Sequence, residues 1–176
     1  DKAANAPQPK YRCLVWACPA HYYTNFTYWT QHCWGVTCVN DMEAMLSYQP
    51  ITIGDKEQAL AELVRCYEKM MMRSHTNGGY VNLLDECWKM CEKFHTNIVI
   101  MYDHVSCKNV GGLHGLFEDQ ARERGIHLIW VTHDLFDPRT VSRREMREAF
   151  SQYMVTVLNE KPLDPTLLDY EDTLSW

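Results

Sequence analysis

Thr96-Asn97-Ile98-Val99-Ile100-Met101-Tyr102-Asp103-His104-Val105-Ser106-Cys107-Lys108-Asn109-Val110-Gly111-Gly112 is the stretch that decides the reading of this chain. Its first part is an unbroken apolar run, Ile98 to Met101, with turn-prone Thr96-Asn97 before it and polar residues after it. A strand buried on both faces of a parallel sheet reads this way, because neither face meets water. The run stops at Asp103-His104. A loop follows that carries Ser106, Cys107, Lys108 and Asn109, and Gly111-Gly112 leads into an amphipathic segment. In open α/β sheets, ligands sit in the crevice beyond the carboxyl ends of the strands. A thiol, an amine, a hydroxyl and an imidazole crowd such an end here. The plainer alternative is an ordinary strand-to-helix loop with a half-buried cysteine.

The same pattern recurs on either side. Downstream, residues 113–124 form a helix with a charged outer face, closed by Gly125. Residues 126–131 are a further apolar strand, ending in Thr132-His133-Asp134. Ser142 with Glu145 is a capping box, and it opens a last helix that runs to about residue 159. Upstream, residues 80–94 form a helix with Leu83, Leu84, Cys87, Trp88 and Cys91 on one face. Residues 74–79, Ser-His-Thr-Asn-Gly-Gly, break it from a long helix that Asp55 caps and that runs to residue 73, with Leu60, Leu63, Val64 and Tyr67 as its apolar stripe. Residues 41–46 suggest a short helix. Residues 11–17 read as the first strand, stopped at Cys18-Pro19. Tyr22, Phe26 and Trp29 follow at helical spacing, Gly35 caps that helix, and residues 36–39 form the second strand.

Four strands, each followed by helix, give a three-layer α/β fold with a doubly wound, mainly parallel sheet of Rossmann-like or flavodoxin-like kind. Residues 11–160 make one domain of ordinary size, with residues 1–10 as a linker or arm and residues 161–176 as an acidic tail. In such a sheet Cys18, His104, Cys107, His133 and Asp134 all come out on one edge.

Composition narrows the function. The net charge of −6 speaks against a general nucleic-acid binder, and no apolar run has the length of a membrane span. Eight cysteines fall mostly in strands and helices without a Cys-x-x-Cys pair. That usage suits packed thiols in a reducing or anaerobic cytoplasm rather than disulfides or a self-contained zinc site. Neither a dinucleotide fingerprint nor a Walker A sequence is present. A hydrolase built on Cys107, His133 and Asp134 is disfavoured, because adjacent side chains diverge in extended backbone. Cys107 remains as a soft ligand for a metal centre completed from elsewhere.

Three stretches together carry a resemblance: Val15-Trp16-Ala17-Cys18-Pro19, Tyr102-Asp103-His104-Val105-Ser106-Cys107-Lys108, and Asp137-Pro138-Arg139-Thr140-Val141-Ser142. They resemble the carboxyl-terminal domain of the 2-hydroxyacyl-CoA dehydratase and benzoyl-CoA reductase family. Val105 stands where that family often has arginine. The resemblance implies that Cys107 is one ligand of a [4Fe–4S] cluster whose other ligands come from an amino-terminal domain outside these residues. It implies Ser106, Lys108, His104, His114 and Cys18 as substrate-binding or cluster-flanking residues. It also implies an acyl-CoA substrate, a partner subunit of the same family, an ATP-dependent electron-activating subunit and a cytoplasmic location. The chemistry implied is low-potential single-electron transfer to an acyl-CoA thioester. Aromatic content, and the lack of obvious charges to hold a hydroxyacid, tilt the expectation to ATP-dependent reduction of benzoyl-CoA to a cyclohexadiene-carboxyl-CoA. A (R)-2-hydroxyacyl-CoA dehydratase subunit acting through a ketyl radical is the alternative. A non-catalytic scaffold is the rival from another class.

Overall fold

The computed structural model describes residues 9–43 and 50–169. Four strands, β1 (Tyr11–Trp16), β2 (Val36–Asp41), β3 (Ile98–His104) and β4 (His127–His133), form one sheet in the order β2-β1-β3-β4. Every neighbouring pair is parallel. The expected doubly wound layer is therefore the fold.

The alternation of side chains along the two central strands builds both layers at once. Cys13 and Val15 of β1, with Ile98, Ile100 and Tyr102 of β3, point to one face. There they meet Phe26, Trp29 and Cys33 of α1 (Phe26–Trp34) and Met146, Phe150 and Met154 of α6 (Arg143–Thr156). Leu14, Trp16, Val99 and Met101 point to the other face. These meet Leu83, Leu84, Cys87 and Trp88 of α3 (Met71–Phe94) and Phe117 and Ala121 of α5 (His114–Arg124). Both faces are covered, which is why the strands read as continuous apolar runs.

β2, β3 and β4 extend two or three residues beyond their apolar runs, whereas β1 ends at Trp16, one residue short of the expected end. β3 continues through Asp103 and His104, because Asp103 pairs with Thr132 and His104 with His133 in register. Gly35 and Gly125 close α1 and α5 in the left-handed region, with φ of 71° and 66°. The Ser142 capping box is present, with Ser142 Oγ accepting from the Glu145 amide and Glu145 accepting from the Ser142 amide at 2.7 Å.

The upstream helices depart from expectation. The helix capped by Asp55 is α2 (Lys56–Glu68), and it stops before residue 73, because Met70 is extended at φ −63°, ψ 138°. The Lys69 and Met70 amides turn back to the Cys66 and Tyr67 carbonyls and close the last turn. A new helix, α3, then starts at Met71 and runs through residues 74–78, where a break was expected. The interruption narrows to one residue, Gly79, at φ 71° and ψ −175°, a backbone that only glycine adopts freely. Among the described residues the apolar stripe of α2 stays largely uncovered: Leu60, Leu63, Val64 and Tyr67 are all at least 40% exposed.

Residues 160–169 cross α1. The Leu163 amide donates to the Cys33 carbonyl, and the Trp29 indole donates to the Leu167 carbonyl. Most of the expected arm and of the short helix, residues 1–8 and 44–46, lie outside the described residues, as do residues 170–176 of the tail. Among the described residues no helix is long and apolar enough to cross a membrane.

Two substitutions test this packing in urea denaturation. Phe117→Ala empties a fully buried site between α5 and the sheet, and should cost about 3–5 kcal/mol. Ser142→Ala leaves the first turn of α6 uncapped and should cost about 1 kcal/mol with no change in the slope of the transition.

Candidate functional site

The strand order reverses between β1 and β3. The chain leaves β1 through α1 toward β2 at one edge, and leaves β3 through α5 toward β4 at the other. Connections that diverge from adjacent strands leave a crevice between their carboxyl ends. A cavity of about 240 Å³ opens there, lined by Ala17 and Cys18 after β1 and by Tyr102, His104, Cys107, Asn109 and Val110 at the end of β3 and beyond. Met42, His75, Leu83 and Leu135 complete its wall.

Each side chain is placed by backbone. Ala17 takes a left-handed conformation at φ 66°, a turn that costs a residue with a Cβ about 1 kcal/mol and swings the chain away after Trp16. Cys18 follows it, half-buried against the α3–α5 core. Cys107 is half-buried against the same core. Its amide donates to the His104 carbonyl at 2.8 Å, and its carbonyl receives the Gly111 amide at the start of α4 (Lys108–Gly111). Leu135 is held by its carbonyl, which accepts from the His21 amide. Asp134 organises that loop by accepting from the Phe136 and Asp137 amides at 2.9 Å.

The two thiols sense one another. Burial pushes the Cys18 thiol up to about 11; the Glu43 carboxylate beside it and the charge of Cys107 add to the effect. Cys18 is thus a protonated thiol at neutral pH. His104 receives the Ser106 amide on Nδ1 at 3.0 Å, so its neutral ring carries the proton on Nε2. His133 lies behind His104, ring centroids 5.6 Å apart, and edge-on to Tyr102. It is wholly buried and neither ring nitrogen has a well-formed hydrogen bond. Burial, then the neighbouring His104, hold its pKa below the ordinary imidazole value. His75 is also buried, tilted against Trp16, and its pKa is lowered by the same desolvation.

The structure therefore brings Cys18, His104 and Cys107 to one cavity. Ser106 and Lys108 are exposed and outside its wall, although Ser106 orients His104, and His114 also lies outside it, beside Asp103 and stacked on Trp130. His133 is a buried partner of that imidazole, and Asp134 spends itself on its own loop, so no Cys-His-Asp triad forms. Sequence reasoning singled out neither Met42 nor Glu43, and read His75 as part of the polar turn between two helices, a turn that could touch a ligand or simply separate them. A topological signal for His75 was present. In a parallel sheet the helix that returns to the amino-terminal edge must begin at the carboxyl edge, so the first turns of α3 belong beside the crevice.

Among the described residues no three histidine, cysteine or acidic side chains converge as a ready-made metal site. A [4Fe–4S] cluster takes four ligands, usually thiolates. The half-exposed thiol of Cys107, with Cys18 on the same wall, fits a share of such a donor set and not the whole of it.

A three-layer α/β domain with a thiol-bearing crevice at its switch point is a ligand-holding class of fold. A family model described as "2-hydroxyglutaryl-CoA dehydratase, D-component" matches residues 1–154, and the chain belongs to that family. No curated protein matches it.

Buried neutral imidazole has a consequence for stability. A ring with a lowered folded pKa binds its proton more readily when unfolded, so stability is intact above pH about 6.5 and falls as pH drops through that value. His133→Phe preserves the ring packing and should flatten the loss between about pH 6.5 and 5, measured as the urea midpoint against pH.

Proposed function

We propose that this chain is a component of an iron–sulfur enzyme acting on acyl-CoA thioesters, and that its reaction is the dehydration of a 2-hydroxyacyl-CoA. The observation that carries the reading is Cys107: a half-exposed thiol on the wall of the switch-point cavity, in a chain of this family. Residues 11–160 supply one wall of the site as an α/β domain. The remaining thiolates come from outside it.

In this reading Cys107 ligates a [4Fe–4S] cluster. The bound cluster supplies single electrons at low potential, delivered by an ATP-dependent activating subunit. Cys18 stays protonated and offers an S–H donor beside the Cys107 sulfur, and hydrogen bonds to ligating sulfurs tune potential. His104, fixed by the Ser106 amide on Nδ1, presents its Nε2 proton to the thioester carbonyl or the departing hydroxyl. Lys108, exposed beside Cys107, meets the phosphates of CoA. The apolar wall formed by Met42, Leu83, Val110 and Leu135 keeps water from the reacting centre. A partner subunit of the same family and a cytoplasmic location complete the picture.

Dehydration is preferred to benzoyl-CoA reduction on a structural ground. Tyr23, Phe26 and Trp29, part of the aromatic content that favoured a reductase, pack in the core formed by α1 and α6. Among the described residues that line the cavity, Tyr102 is the one phenyl-type ring.

The test is anaerobic assembly of the full-length chain with its partner. Cys107→Ser should lower bound iron and the visible iron–sulfur band by at least about half, and abolish turnover. Cys18→Ser should keep the iron and shift the reduction potential followed by electron paramagnetic resonance. Turnover of benzoyl-CoA alone would move the chain to the reductase branch. An iron-free, colourless complex indifferent to Cys107→Ser would leave only a scaffold.

A further inference from the structure

The family description names a 2-hydroxyglutaryl group, an acyl chain with a second carboxylate at its far end. Such a carboxylate inside a cavity needs a cation or several donors, because an ion moved out of water without a partner is strongly penalised. The cavity of this chain offers little of that kind. Six of its eleven wall residues, Ala17, Met42, Leu83, Tyr102, Val110 and Leu135, present carbon, sulfur or ring surface. No lysine or arginine is among the described residues that line it. The formal charge at the wall has the wrong sign, since Glu43 lies against Cys18.

The two imidazoles do not replace a cation. His104 accepts the Ser106 amide on Nδ1, the arrangement of a neutral ring. His75 is buried beside Trp16 and keeps its neutral form. Asn109 is a single neutral amide.

From this wall we infer that the acyl group taken by this chain is apolar, an unbranched, branched or aromatic hydrocarbon with no distal carboxylate. The inference rests on the thioester reading above and deepens it. It holds for dehydration and ring reduction alike, because both place the acyl group beside Cys107.

The assembled full-length complex tests it with two measurements. Binding is read first by calorimetry, using hexanoyl-CoA and glutaryl-CoA on the cluster-loaded complex without activator. Hexanoyl-CoA should bind at least about tenfold more tightly. With activator, kcat/KM for 2-hydroxyhexanoyl-CoA should exceed that for 2-hydroxyglutaryl-CoA by about a hundredfold or more, since a carboxylate taken out of water without a partner carries a large desolvation cost. Equal or reversed preference overturns the inference and leaves the thioester reading standing. Binding of neither analogue overturns both.

One substitution supplies the missing charge without disturbing the core. Asn109→Lys sets an ammonium at an exposed position of the wall. It should raise the ratio of glutaryl- to hexanoyl-CoA affinity at least about tenfold. An unchanged ratio in a complex that still binds hexanoyl-CoA means the acyl group lies elsewhere, and the inference fails.

Discussion

The site exists because β1 and β3, hydrogen-bonded neighbours, send their chains to opposite sides of the sheet. α1 must cover one face on its way to β2, and α5 the other on its way to β4. Neither connection can cross the gap between the two strand ends. That gap is held open by the strict alternation of Cys13, Leu14, Val15 and Trp16 against Ile98, Val99, Ile100 and Met101, which pair in register from Cys13–Ile98 to Trp16–Met101. A slip of one residue would turn every one of these side chains to the wrong layer. Register therefore fixes where Cys18 and Cys107 emerge, and their common cavity is a result of packing many residues away.

This explains which parts of the molecule were legible in the sequence. Strands buried on both faces leave an uninterrupted apolar signature, and glycine or a capping box marks where helices stop or start. Ile98 to Met101, Gly35, Gly125 and Ser142 all carry such local signals. The edge on which Cys18, His104 and Cys107 gather follows from strand direction alone. By contrast, the gap between α2 and α3 depends on one extended residue, Met70, within a sequence that is helical in period throughout. His95 ends α3 in a left-handed conformation that composition gives no reason to expect. Periodicity also misjudged α2. Leu60, Leu63, Val64 and Tyr67 keep helical spacing, yet spacing reports which residues share a face and not what lies across from it.

The chemistry of the site was only half legible for a related reason. Residue types and their strand-end position named Cys107, His104 and Cys18, but not their burial. Lys108 and Ser106 are adjacent in sequence to Cys107 and still lie outside the cavity, exposed at the first position of α4 and in the turn before it. His133 and His104 occupy paired positions on β4 and β3, and share one face. One of them lines the cavity while the other is sealed beneath it. Neighbourhood in sequence predicts the loop, and the pitch of the loop decides the wall.

Burial then sorts the two thiols and the two imidazoles into different tasks. A half-apolar cavity disfavours every isolated charge, so groups without a fixed partner stay neutral: Cys18 keeps its proton beside Glu43, and His75 and His133 keep their neutral rings. An anion on that wall, whether a ligating thiolate or a substrate carboxylate, needs a cation to stabilise it. Among the described residues that line the cavity there is no lysine or arginine, so in the proposed reading that cation is the metal centre or a surface from beyond this domain. In the proposed reading, the same poverty of positive charge that turns Cys107 toward an external cationic partner disfavours a distal carboxylate. The two proposals, thiolate ligation and an apolar acyl group, thus rest on one low-dielectric wall.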